Sequence, residues 1–288
     1  MSVQIELIKM LRERTGAGLS DCKKALDTCN NDLDKACDWL RTQGIAKSAK
    51  KANRIAAEGI SDFYIEGDLA VIVEVNCETD FVAKGDKFKN LVNSIKETIV
   101  KKQINSLEAA NKEFEPLFAD ATVAIGEKLT LRRFELIKKN PLECFGAYKH
   151  MGGKITSLVV INKNDVDFAN DMATHITACN PLYICPHCVP KEVFDHERQI
   201  ALEASKNDEN LMKKPQAIIE KIIEGKVNKS ISESILHQQL YTFEEDKKVE
   251  QVLKEKGIAV LKFVRYAVGE GIEKKSDDFA KEVMDQIK

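Results

Sequence analysis

The sequence predicts an α+β protein built from several modules rather than one continuous sheet. Three observations carry this. Residues 1–44 show only helical apolar spacing; a strand pair followed by an amphipathic helix occurs twice; and an apolar two-helix pattern interrupts the second of these before a last strand. At 288 residues the chain exceeds the usual size of one domain. The predicted layout is a three-helix N-terminal domain with a basic linker over 1–55, one core subdomain over 56–141, and a second over 142–189 and 237–271. A helical hairpin is inserted over 190–236, and a C-terminal helical module covers 272–288.

In the first module Gln4, Leu7, Ile8 and Leu11 lie at i, i+3, i+4, i+7 spacing, and Thr15-Gly16-Ala17-Gly18 breaks the pattern. Ser20 is the expected N-cap of a second helix burying Leu19, Cys22, Ala25 and Leu26. Asn31 opens a third with Leu33, Ala36, Cys37 and Leu40 on one face, and Gly44 is expected to close it. Lys47–Arg54 reads as a solvated linker, partly helical, with an RNA-contacting arm as the sharper alternative; no aromatic is interleaved to stack bases.

A hairpin is predicted from Ile60–Ile65 and Leu69–Asn76 around Glu66-Gly67-Asp68. Phe88, Leu91, Val92, Ile95 and Ile99 form one helical stripe, and Phe114, Leu117, Phe118, Ala121, Ala124 and Ile125 another, ended by Gly126; Leu129–Leu136 returns as a strand. Leu142–Tyr148 and Ile155–Ile161 form the second strand pair around His150–Gly153, followed by a helix with Val166, Ala169, Ala173 and Ile176 inward. The inserted hairpin pairs Val193, Glu197, Ile200 and Ala204 with Ile218, Ile219, Ile222 and Ile223 across a bend at Lys206–Lys214, a narrow seam of coiled-coil type. Ile258–Val268 returns to the second sheet, and Asp278–Ile287 is a short terminal helix that must dock to be stable.

A net charge of −2 argues against broad phosphate binding, so no nucleic acid is expected as a partner. No run approaches the ~18 apolar residues of a membrane span, and the first residues lack the order of a signal peptide. The eight cysteines read as free thiols in a reducing, cytoplasmic compartment. Cys185-Pro186-His187-Cys188, with His175 and Cys179 just upstream, offers four zinc-ligand types within a short span; a redox pair and an unliganded loop are the other readings. Cys77 with His150 as base would be a cysteine enzyme, but no third group orients them and Cys77 is expected to be half-buried. No GxxxxGK[ST] loop is present, so direct nucleotide binding is not expected, and no motif calls for a cofactor.

The most specific stretch is Val71–Phe88. Val71, Val73 and Val75 alternate with Ile72, Glu74 and Asn76 as a strand; short polar residues then turn the chain at Cys77–Asp80, and a helix follows. Thr79-Asp80-Phe81-Val82-Ala83-Lys84 on that corner resembles the signature of bacterial elongation factor Ts, the guanine-nucleotide exchange factor of elongation factor Tu. RTGAGLSDCKKAL, Ala124-Ile125-Gly126-Glu127, His150, the inserted hairpin and the closing VGEGIEK are similar to the same family in the same order. The first module resembles the three-helix bundle of ubiquitin-associated domains.

The resemblance implies that Thr79, Asp80, Phe81 and Val82 enter the nucleotide-binding domain of elongation factor Tu near its Mg²⁺ and phosphate site, the aromatic acting as a wedge. It implies that Ile125, Gly126 and His150 line the same contact, and that Lys23 and Met284 grip the partner from another side. Two departures stand out: the Cys185–Cys188 loop carries cysteines where the family does not, and Thr242 stands roughly where the family places a partner-contacting hydrophobe. The alternative to an exchange factor is a zinc-stabilised RNA-binding module.

Overall fold

The computed structural model describes residues 3–206 and 215–273. The expected helix over Asp278–Ile287, with Met284, lies outside the described residues, as does all of the Lys206–Lys214 bend beyond Lys206. The chain forms two compact units. One takes in the chain up to Lys138, Lys149–Thr156 and the segment from Tyr266; the other takes in Lys139–Tyr148 and Ser157–Arg265.

The first unit opens with α1 (Val3–Thr15), α2 (Leu19–Thr28) and α3 (Leu33–Lys51), packed around Leu11, Cys22, Ala25, Leu26, Ala36 and Leu40. The caps differ from expectation. Gly18, not Ser20, precedes α2, which leaves Leu19 in its first turn 63% exposed. Asn31 takes φ +62 and turns the chain, so extended Asp32 becomes the N-cap of α3 and accepts from the N–H groups of Asp34 and Lys35. Gly44 does not end α3. It sits inside the helix, where a Cβ would stand 2.4 Å from the carbonyl oxygen of Ala119. The glycine lets α3 lie against α6 (Leu107–Ile125), and Arg41–Asp120 and Ser48–Thr122 join the two helices further along.

β1 (Glu58–Glu66), β2 (Leu69–Cys77) and β3 (Thr130–Lys138) form an antiparallel sheet in the order β1-β2-β3. Val71, Val73, Val75 and Cys77 of the central strand face Phe88, Leu91, Val92, Ile95 and Ile99 of α5 (Asp86–Lys102) and Phe114 of α6. The opposite face, Ile72, Glu74 and Asn76, is fully buried as well. Arg132 is the extra residue of a bulge, since Glu74 pairs with Arg133 and Val75 with Leu131. Successive strand residues ordinarily point to opposite faces. The bulge lets Arg132 and Arg133 both reach the Glu74 carboxylate, at 2.9 and 2.6 Å, and the N–H of Gly269 donates to it at 2.8 Å. Gly269 has φ +75, and a Cβ there would stand 2.3 Å from the carbonyl oxygen of Ala57, so only glycine fits.

The second sheet has the order β4 (Cys144–His150), β5 (Ile155–Ile161), β8 (Val260–Ala267). In the second unit α7 (Val166–Cys179) buries Phe168, Ala169, Met172, Ala173 and Ile176 against Val159, Ile161, Val252 and Val260. The helical hairpin consists of α8 (Lys191–Lys206) and α9 (Gln216–Ser232). Its seam is Ile219, Ile223, Val227 and Ile231, every fourth residue, packed against Val193, Phe194 and Ala201. Ile200 and Ile218, expected in the seam, are instead 48% and 45% exposed. A two-stranded ribbon of β6 (Leu240–Tyr241) and β7 (Glu244–Lys248), followed by α10 (Val249–Lys256), completes the unit. Sequence reasoning placed no element there.

Candidate functional site

The turn after β2 is fixed from two directions. Thr79, in extended conformation, caps the short helix α4 (Asp80–Lys84), its hydroxyl accepting from the N–H of Val82. Glu127, just past the left-handed Gly126 that ends α6, reaches back to the same turn. Its carboxylate accepts from the N–H groups of Glu78 and Thr79 at 2.9 and 3.0 Å and from the Thr79 hydroxyl at 2.6 Å. Glu78 in turn accepts from the Lys128 N–H at 2.6 Å and pairs with Arg54. The Ile125–Lys128 loop and the Thr79–Val82 corner are therefore one hydrogen-bonded assembly.

On this corner Phe81 is 83% exposed, the most exposed large hydrophobe among the described residues. Asp80 beside it pairs with Lys84 at 2.6 Å, one helical turn on, and that hydrogen bond holds its carboxyl below the ordinary range. Val82 is half-buried against the unit's core, as is Ile125. The chemistry on offer is a solvated aromatic next to an ionised carboxylate on a fixed backbone. Nothing in it resembles a nucleophile–base pair. Cys77 is fully buried, not half-buried as expected; burial pushes its thiol up to about 12, and its Sγ contacts the Thr79 carbonyl. At neutral pH it is an inert thiol.

Two family models match the chain. The one described as "Elongation factor TS" covers residues 78–270, more than half of the chain. The one described as "Elongation factor Ts, mitochondrial, N-terminal" covers residues 1–48. The chain belongs to the elongation factor Ts family.

The larger elongation factor Ts match takes in both the Thr79–Val82 corner and the Ile125–Lys128 loop. Thr79, Asp80, Phe81 and Val82 are brought together with Ile125 and Gly126 through Glu127, a residue whose role the sequence alone did not reveal. The signal available was an acid immediately after a helix-ending glycine. His150 closes β4, and its carbonyl accepts from the N–H groups of Gly153 and Lys154. Lys154 adds positive charge near both Asp80 and Cys77. Lys23 is exposed on α2, in the same unit. Lys87 at the start of α5 donates to the Gly16 carbonyl beside that module.

The four residues of the zinc alternative lie as two separate pairs, His175 with Cys179 and Cys185 with Cys188. Among the described residues no group of three or more His, Cys, Asp or Glu side chains could hold a metal ion. His175 is fully buried and uses both ring nitrogens internally, on Thr242 at 2.8 Å and Gln239 at 3.1 Å, and burial lowers its proton affinity. Cys179 contacts His175 and Thr242, whereas Cys185 and Cys188 contact each other. Thr242 is thereby committed to the histidine. The basic arm is also engaged internally: Lys47 pairs with Asp21, Lys51 donates to the Gly126 carbonyl, and Arg54 pairs with Glu78. Lys47–Lys51 is the last turn of α3, the helical part of the stretch read as a partly helical linker.

Proposed function

We propose that this protein accelerates guanine-nucleotide exchange on elongation factor Tu by binding its nucleotide-free state through the Thr79–Val82 corner. The observation that carries the reading is the exposure of Phe81 on a backbone held by Glu127. An aromatic in water gains nothing for its own fold; preorganised on a fixed corner, it loses little further entropy when a partner covers it. A buried aromatic anchor is worth roughly 2–4 kcal/mol, about 30- to 700-fold in affinity. If that contact forms only when the partner's nucleotide site is open, reciprocity weakens nucleotide affinity by the same factor. Asp80 acts beside it, near the partner's Mg²⁺ and phosphate site, where loss of the cation removes the main counter-charge of the diphosphate.

Ile125, Gly126 and His150 are the neighbouring contacts in this reading, and Lys23 and Met284 hold the partner elsewhere. The protein makes and breaks no covalent bond; it is an exchange catalyst, not an enzyme in the chemical sense. Among the described residues no helix is long and apolar enough to cross a membrane. The N-terminal family carries "mitochondrial" in its description, which widens the expected home from the cytoplasm to an organelle.

Calorimetric titration into elongation factor Tu tests the linkage. The expected result is much tighter binding to the nucleotide-free protein than to the diphosphate-loaded one, with excess guanosine diphosphate dissociating the complex. Equal affinity for both states would overturn the proposal, because a ligand that binds two states equally shifts nothing.

A further inference from the structure

Cys185 and Cys188 lie outside every role assigned so far. Their sulfurs are 2.7 Å apart, in contact and within an ångström of the ~2.05 Å of a covalent S–S bond. The backbone holds them there: Cys185 is extended, Pro186–Cys188 forms one 3₁₀ turn, and the Cys188 N–H donates to the Cys185 carbonyl at 3.0 Å. Cys185 is partly accessible and Cys188 exposed, so a small reagent reaches the pair. The other cysteines do not compete on these terms. Cys22, Cys77 and Cys144 are buried, the half-buried Cys29 and Cys37 pack against the core of the N-terminal helices, and the exposed Cys179 touches His175 and Thr242 instead.

The location gives the pair leverage within the second unit. Just before it, Leu182, Tyr183 and Ile184 are stitched to the chain that leaves the second hairpin helix. The N–H groups of Leu182 and Tyr183 donate to the Ser234 carbonyl, that of Leu236 to Tyr183 and that of His237 to Ile184. Just after it, Val189 joins the hairpin seam and α8 begins at Lys191. The dithiol therefore spans the turn between the clasp at the hairpin's base and its first helix.

We propose that Cys185 and Cys188 are a reversible redox site that closes to an intramolecular disulfide and locks the turn at the base of the hairpin. The oxidant is a low-molecular-weight disulfide of the glutathione class. One cysteine thiolate attacks a sulfur of the oxidant, forming a mixed disulfide and releasing one thiol. The second thiolate attacks the protein sulfur of that mixed disulfide, forming the Cys185–Cys188 bond and releasing a second thiol. Two electrons pass from the dithiol to the oxidant, which leaves as two thiols, and a thiol reductant reverses both steps.

The test equilibrates the full-length protein in glutathione buffers from reducing to oxidising, traps free thiols by alkylation, and maps the peptides by mass spectrometry. The expected product is a peptide containing residues 185–188 that escapes alkylation, is lighter by two hydrogens and carries no glutathione. It should return fully to the alkylatable form on reduction. In Cys188→Ser the same buffers should give a single glutathione adduct on Cys185, and Cys179→Ser should leave the intramolecular product unchanged. Persistent glutathione adducts on the native pair, a bond to Cys179, or free alkylation of both thiols under oxidising conditions would each overturn the proposal.

Discussion

Phe81 and Glu127 divide the work of the corner between display and support, and substitution should separate the two. With Phe81 83% exposed, Phe81→Ala removes no packing, and its stability should stay within about 0.5 kcal/mol of wild type in urea unfolding. Glu127→Ala removes a carboxylate that accepts three hydrogen bonds from Glu78 and Thr79. It should cost about 1–2 kcal/mol, since water can replace part of the loss at this partly exposed turn. Thr79→Ala should cost about 1 kcal/mol through the lost cap. All three should slow nucleotide exchange, the first without any stability change. The strand-to-helix corner was legible because alternation gives way to helical spacing at Cys77–Asp80. The buttress was not, because Glu127 is distant in sequence and no periodicity marks a side chain that reaches back to a backbone.

Periodicity served well for elements with a wide apolar stripe, such as α5 and β2, and poorly where one residue type has two meanings. Gly44 looked like a helix stop, yet it is the point where α3 meets the backbone of α6. Gly44→Ala should destabilise by about 1–3 kcal/mol or more, because a backbone carbonyl 2.4 Å away cannot swing aside as a side chain would. At Gly225, inside α9, an added Cβ would meet nothing within 4 Å, so Gly225→Ala should instead stabilise by about 0.5–1 kcal/mol. Thermal unfolding of the two variants distinguishes opposite signs for the same chemical change. The β6–β7 ribbon was invisible for a different reason. The strand Glu244–Lys248 is charged throughout, and its two-residue partner is too short to show alternation. The hairpin seam was visible in kind but shifted: the spacing of four in Ile219, Ile223, Val227 and Ile231 selects a narrower face than the paired isoleucines suggest.

At the scale of the whole chain, Glu74 ties the middle of the first unit to the returning segment near the end of the described chain. Burial by itself would raise its carboxyl, but the Gly269 N–H and the guanidinium groups of Arg132 and Arg133 outweigh burial and hold it below the ordinary 4.5. A carboxyl whose folded value is lowered binds protons more readily in the unfolded chain. Its stabilising contribution is therefore complete above about pH 4.5 and is lost as pH falls through the lower folded value. Urea midpoints measured against pH should show this acid-side loss in wild type and less of it in Glu74→Gln. Glu74→Ala, which leaves two arginines without their carboxylate, should cost about 3–5 kcal/mol at neutral pH. The order of the elements could be read from sequence, since hairpin-then-helix recurs and the last strand comes late. The closure at Gly269 could not, because the bulge that aims both arginines and the Ala57 contact that demands glycine exist only once distant segments meet.

The proposed function requires that this corner open the nucleotide site of elongation factor Tu. The most direct test is stopped-flow release of fluorescent guanosine diphosphate from that factor, comparing wild type with the Asp80→Ala/Phe81→Ala double variant at matched folded concentration. Strong acceleration by wild type that collapses in the double variant is the expected result. Acceleration undiminished in the double variant, or none by wild type with its cognate partner, would contradict it.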